Sequence, residues 1–404
     1  MANIKPFAAL RPKPDLAVRI CELPYDVLSS NEAREAAAGN PFSFFRVSKP
    51  EIDLPAPADP HDASVYEKGR YNFSRFLSDG WLRQDSQACF YLYRQIMGGH
   101  QQTGLVAVAD CEDYLRGTIR KHELTRPDKE DDRVRHIDAL DAQTGPAFLA
   151  YRAVPEIDAL VARRTAEMPA VDFVAPDRVQ HTAWKLSDRA DIEFIQAALQ
   201  RVRLLYIADG HHRCAAAARV YQARRGAGNS RYFLAVSFPD NQLQILPYHR
   251  VLKDLNGHAP EALLARLAEV FAIQESGAAE PKARHELGLY FGGQWRTLRF
   301  HPRLVEGKEA IEALDVALLQ QHVLGPVFGI EDPRTSQRIG FVGGVRGTGE
   351  IAGLVDRGDY ACAFAMCPTS LRDLMTIADA GDVMPPKSTW FEPKLRDAMF
   401  CHLI

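Results

Sequence analysis

Asp209-Gly210-His211-His212-Arg213 packs an acid, two imidazoles and a guanidinium into five residues. A carboxylate in such a place acts as a base or holds a divalent cation. A guanidinium offers a fork of donors suited to phosphate or carboxylate. The apolar run 204–208 predicts a short buried strand before the cluster, and the alanine-rich run after Arg213 predicts a helix. The cluster therefore falls in a strand-to-helix turn, where the backbone N–H groups of a helix N-terminus favour anions. Together these features point to phosphate chemistry. An Asp-Gly turn alone is common, but four functional side chains in five residues exceed what a turn requires. Adjacent histidines point in different directions on a strand or a helix. No H-E-x-x-H or paired-cysteine pattern accompanies them, so a metal centre is the weaker alternative.

Other stretches offer groups of the same kind. Arg120, His122, Glu123 and Thr125 precede Pro127, a residue that suits the first position of a helix, so a loop presents them. Near the C-terminus, Met384-Pro385-Pro386-Lys387-Ser388-Thr389 places a lysine and two hydroxyls after two prolines, with Lys394 beyond. The glycine spacing of a Walker A loop is absent, yet a proline-stiffened lysine–hydroxyl loop suits pre-organised anion binding. Tyr25, Asp26 and Arg46 are candidates to line a pocket, with Arg46 on a strand predicted over 42–47. His249-Arg250 forms a second small cationic cluster at a strand end.

These side chains must be positioned by an ordinary globular chain. The 404 residues exceed what one core commonly serves, and 46% hydrophobic with 25% charged residues is average usage. A net charge of −3 argues against broad electrostatic binding to nucleic acid. Seven scattered cysteines, odd in number and without C-x-x-C, indicate reduced thiols and a cytoplasmic setting. No apolar run approaches membrane-spanning length. Strands and helices do not alternate regularly enough for a doubly wound sheet, so the expected fold is mixed α/β (α+β) with largely antiparallel sheets. The elements expected include a hairpin around Gly98-Gly99, a second hairpin around Gly292-Gly293, and helices over 188–199, 260–271 and 311–323. Three regions are expected: 1–255, a catalytic region with N-terminal elaboration; 256–345, a peripheral α/β subdomain; and 346–404, which returns the 384–394 loop to the site. The site is expected in a cleft between subdomains.

Along nearly its whole length the chain resembles a widespread prokaryotic family of unknown function. The matching marks are Pro24-Tyr25-Asp26-Val27, Asn40-Pro41, the run from Gly117 through His122-Glu123 to Asp132-Arg133, the 209–213 box, Pro247 with His249-Arg250, and the 384–389 run with Phe391 and Pro393-Lys394. Members are often labelled ParB-like, and the box is similar to that of free-serine kinases of the ParB/sulfiredoxin-like superfamily. The resemblance implies a ParB/sulfiredoxin-like core with peripheral helices. It implies transfer of phosphate from ATP or ADP, with Mg²⁺, to free L-serine, giving O-phospho-L-serine. Asp209 and Glu123 are then the catalytic carboxylates. Gly210, His211, His212, Arg213, Lys387, Ser388 and Thr389 bind phosphate or nucleotide. Arg120, His122, Thr125, Tyr25, Asp26, Arg46, His249 and Arg250 belong to the substrate side. About 85 residues separate Glu123 from Asp209, far more than in the compact kinases. The Glu-Arg-Arg core of ParB partition proteins and a helix-turn-helix are both missing. Alternative readings are a ParB-like nucleotide- and DNA-binding regulator or a nucleotide hydrolase. A homodimer is left open.

Overall fold

The computed structural model describes residues 2–55 and 59–404. The chain divides into two compact units, one of residues 1–243 with 393–404 and one of 244–392. The second is thus wider than the 256–345 segment read from sequence, and the last residues of the chain belong to the first unit. The architecture is mixed α/β with largely antiparallel sheets, and no described helix is long and apolar enough to cross a membrane. No disulfide joins the cysteines. Six are buried, and Cys367 is half-buried.

The first unit is built on a nine-stranded sheet. Its path runs Ile119–Arg120, Leu205–Asp209, Ala147–Tyr151, Tyr232–Pro239, His100–Asp110, Phe90–Met97, Gln180–Leu186 and Val171–Val174, with Ile4–Lys5 pairing the His100–Asp110 strand. The Gly98-Gly99 hairpin forms as expected, with Met97 opposite His100. Leu205 and Ile207 are fully buried with Leu92, Leu149, Trp184, Ile195 and Phe233. Each such side chain contributes roughly 1.5–3 kcal/mol of burial free energy, so the strand carrying Asp209 is held rigidly. The helix after it, His211–Arg224, packs Ala216 and Val220 against Ile137 of helix Pro127–Leu140. Small alanines let the two helices approach closely. Arg219 pairs with Asp131 (2.7 Å), and Arg224 with Asp138 (2.8 Å), along their exposed edge.

A satellite core of Phe44, Phe73, Phe76, Leu82 and Leu140 is closed by Ala398 and Cys401 from the C-terminal segment. That segment is stitched in by backbone bonds from Leu10 to Cys401, from Asp397 to Glu22 and from Ala398 to Thr144. The N-terminal helix Ser30–Ala36 carries a complete capping box between Ser29 and Glu32. The strand expected over 42–47 is instead a helix, Phe45–Ser48. Asn40 turns the chain by accepting the Phe42 N–H (3.2 Å), and Phe44 and Val47, three apart, share a buried face. A short apolar run fits either periodicity, and tertiary packing decided this one.

The second unit centres on a six-stranded antiparallel sheet, ordered Phe271–Gln274, Gln294–Phe300, Glu286–Phe291, Cys362–Ala365, Tyr248–Leu252 and Ile339–Gly343. Its Gly292-Gly293 hairpin is as expected. His249 and Arg250 lie inside the Tyr248–Leu252 strand rather than at a strand end. The helix expected over 311–323 is confined to Asp315–Leu319. It widens into a π turn over Gln320–Leu324, where the Gly325 N–H reaches back five residues to the Gln320 carbonyl (3.1 Å).

Candidate functional site

The strand Leu205–Asp209 slips register against Ala147–Tyr151 between Ile207 and Asp209. Such irregularities re-aim side chains. Gly210 follows with φ +89°, and a Cβ there would lie 3.4 Å from the Ala147 Cα. Glycine alone takes both the left-handed turn and the close approach without strain. The helix then starts at His211 with no side-chain cap among the described residues. Its first backbone N–H groups thus lack intrahelical partners, the arrangement that attracts an anion.

Asp209 stands at the mouth of this turn. Its Oδ2 accepts from Lys394 Nζ (2.7 Å) and its Oδ1 from the Gly210 N–H (2.7 Å). Burial pushes the carboxyl pKa up, but the Lys394 ammonium and the Arg213 guanidinium outweigh it and hold the group well below the usual carboxylate range. Asp209 is therefore ionised at every physiological pH. That makes it a weak proton acceptor and a strong electrostatic and orienting group. Its side chain keeps 32% of its exposure, against 10% for Lys394, so the carboxylate is the member of the pair that a ligand reaches.

Arg213 donates to the Pro146 carbonyl (3.2 Å) and to Asp26 (3.4 Å) and lies over the Tyr25 ring at 5.5 Å. Burial disfavours its charge, but Asp26 and Asp397 more than compensate. Beneath it lies a cavity of about 40 Å³, lined among others by Tyr25, Arg133, Thr144, Gly145, Arg213 and Asp397. Asp397 is buried, and burial lifts its pKa to about 7. Arg133 also lies over the Tyr25 ring, at 3.7 Å, and pairs with Asp132 (2.6 Å).

The His122-Glu123 pair meets the box directly. The short strand Ile119–Arg120 runs parallel to the Asp209 strand, with Arg120 opposite Tyr206. It delivers the His122 N–H to within 3.5 Å of His211 Nε2, and the two rings sit edge to face at 4.5 Å. Ligand atoms of His122, Glu123 and His211 all lie within 4.8 Å of one another. Burial lowers the His122 pKa to about 4 and takes that of His211 well below the ordinary value, so both rings are neutral at pH 7. His212 Nε2 accepts the Arg126 N–H (3.1 Å), and burial lowers its pKa as well. The ionised and part-exposed Asp209 is the carboxylate that would hold a Mg²⁺, which takes one or two protein carboxylates plus phosphate oxygens.

The remaining candidates are placed as follows. Thr125 Oγ1 donates to Glu130 on the next helix. Arg46 donates to the carbonyls of Asn40 and Ala37 and pairs with Asp53, which closes the C-terminal end of the Ser30–Ala36 helix. In the second unit, His249 Nδ1 accepts the Met366 N–H (3.1 Å), and Arg250 donates to the Tyr248 carbonyl and to the Lys387 carbonyl (3.0 Å). Lys387 is exposed, with its ammonium 5.2 Å from the Tyr248 ring centroid. Ser388 is buried and donates to the Pro385 carbonyl, and Thr389 follows it before the strand Trp390–Glu392. Asp397 gave no sequence signal. Lys394 was expected in the anion-binding loop with Lys387, Ser388 and Thr389 and here pairs with Asp209, and Arg133 stood only within a charged run.

A family described as "Protein of unknown function (DUF1015)" matches residues 4–317. No curated protein matches the chain. Among solved structures, a free serine kinase in complex with AMP is 13% identical, with TM-score 0.38, over 72% of this chain and 90% of that one. SbnI with a C-terminal truncation, from Staphylococcus aureus, is 12% identical, with TM-score 0.39, over 71% of this chain and 82% of that one. A conserved hypothetical protein from Pyrococcus furiosus is 16% identical, with TM-score 0.33, over 72% of this chain and 94% of that one.

Proposed function

The chain belongs to the DUF1015 family, whose description assigns no activity, and from its own site we propose that it is a nucleotide-dependent phosphotransferase acting on the hydroxyl of free L-serine. The observation that carries the reading is the meeting of His122-Glu123 with the 209–213 box at one uncapped helix N-terminus. Phosphoryl transfer asks mainly for positioning and for positive electrostatics around the moving group. Backbone N–H groups, Arg213 and Lys394 supply the positive side. Glu123 and Asp209 supply the acids. Of the lysine–hydroxyl loop, the exposed Lys387 is assigned to nucleotide phosphate, whereas the buried Ser388 hydroxyl is committed to the Pro385 carbonyl.

In the proposed reaction the serine Oγ attacks the terminal phosphorus of ATP or ADP. An O–P bond to serine forms, the P–O bond to the departing nucleotide breaks, and the hydroxyl proton passes to Glu123. Asp209, held ionised by Lys394, orients the acceptor. Arg213 draws charge off the phosphoryl oxygens. Tyr25, Asp26 and Arg120 are assigned to the amino-acid side, where a zwitterion needs both signs of charge. Bound Mg²⁺ supplies neutralisation of the nucleotide phosphates.

The test is transfer from labelled ATP and ADP, with Mg²⁺, to a panel of amino and hydroxy acids. Labelled phosphoserine from serine alone is the expected product. Free phosphate without a phosphorylated acceptor would replace the kinase by a hydrolase. No turnover with any acceptor would remove both.

A further inference from the structure

We propose that His122, Glu123 and His211 bind one divalent transition-metal ion of the zinc or cobalt class, separate from any Mg²⁺ that a nucleotide carries in. Their ligand atoms already lie within 4.8 Å of one another. Bonds of about 2.0–2.2 Å to a shared ion put two ligands at most roughly 4 Å apart, so small side-chain rotations close the set. The donors are two imidazole nitrogens and one carboxylate oxygen. Zinc, cobalt, iron and manganese accept such a mixed set, whereas Mg²⁺ demands oxygen. Three protein ligands leave a position open, as in catalytic rather than closed structural sites.

The surroundings are arranged for this. His122 is hydrogen-bonded to the Ile207 backbone. An outer bond of that kind fixes the tautomer and the ring plane of a metal-bound histidine. The Asp209 carboxylate interacts with both rings and adds negative potential. The sequence concealed the set because its histidines are 89 residues apart, while the adjacent His211-His212 pair drew attention and splits. His212 turns away to the Arg126 backbone.

Glu123 ligates through one carboxylate oxygen and leaves the other for the proton of the proposed reaction; the inference rests on that reading for its catalytic meaning alone, so binding is measured without nucleotide. The full chain, stripped with chelator, is titrated with Co²⁺. Visible d–d bands saturating at one equivalent are expected, displaced by Zn²⁺ and untouched by millimolar Mg²⁺. His122→Ala and His211→Ala abolish the bands, and Glu123→Gln weakens binding at least tenfold, each with far-ultraviolet circular dichroism to check folding. Glu123 is half-buried, so its variant carries the result where a buried-histidine variant fails to fold. Absent bands in the unaltered chain, or bands that survive Glu123→Gln at full affinity, overturn the proposal. Cobalt binding without phosphotransfer would uphold the metal site and remove the kinase. Phosphotransfer with Mg²⁺ and no cobalt binding would do the reverse.

Discussion

At the 209–213 turn of the first unit, Arg213 reaches Asp26 and the Tyr25 ring, and Asp209 holds Lys394. In the second unit, Arg250 donates to the carbonyls of Tyr248 and Lys387, and His249 accepts the Met366 N–H. Both regions place a histidine beside an arginine in the sequence. In the first, charged side chains meet other charged side chains from distant parts of the unit, and a carboxylate remains in reach of solvent. In the second, the same residue types satisfy nearby backbone. Burial lowers the Arg250 pKa to about 10, with the Tyr248 phenol opposing it and no carboxylate acting on it. Opposed side-chain charges can be re-partnered by a ligand, whereas donors bound to backbone carbonyls hold a loop in place. The difference separates a site from its scaffold more sharply than residue type does.

Four substitutions test that contrast. The largest effect is expected from Asp209→Asn, which keeps shape and removes charge. Turnover should fall by about 100-fold or more while circular dichroism stays unchanged, and near-normal turnover would take Asp209 out of the chemistry. Next, Arg250→Met should lower the urea midpoint by the equivalent of about 1–2 kcal/mol, because two carbonyls lose their donor. A chain as stable as before would erase the scaffold reading of that strand.

Asp397→Asn tests the acid beneath Arg213 through pH. The folded pKa of about 7 lies above the ordinary carboxylate value. The folded chain therefore binds the extra proton, and this contribution to stability is present below about pH 4 and lost as pH rises to 7. Stability of the unaltered chain relative to Asp397→Asn should decline across that range by at most about 1.4 kcal/mol per pH unit. A flat difference would mean that Asp397 titrates normally. The comparison must be made between the two chains, because Glu22 pulls in the same direction and buried His122, His136 and His402 pull in the opposite one. The smallest structural effect belongs to Lys387→Ala. Its side chain is exposed, so stability should stay within about 0.5 kcal/mol, while the nucleotide KM rises. An unchanged KM would detach the loop from nucleotide binding.

Much of the local structure was legible. The apolar run, Asp-Gly and the alanine run specify a strand, a left-handed glycine and a helix, because φ preference, hydrophobic period and helix propensity act over a few residues. The two glycine pairs announced hairpins for the same reason. The short run 42–47 was misread because four to six apolar residues do not distinguish periods of 2 and 3.6.

What the sequence by itself determined is the box, its turn and the chemical inventory: two carboxylates, the histidines and a guanidinium suited to phosphate. Only the tertiary structure decided which of these meet. Sheet register set Ile119–Arg120 beside the Asp209 strand and so brought His122 to His211. The C-terminal return carried Lys394 to Asp209 across 185 residues, and with it Asp397 to the cavity under Arg213. Pairings over such separations come from burying one shared core, since no local preference reaches that far. The neutral state of His122 and His211 follows from that burial, and it is written nowhere in the residue types.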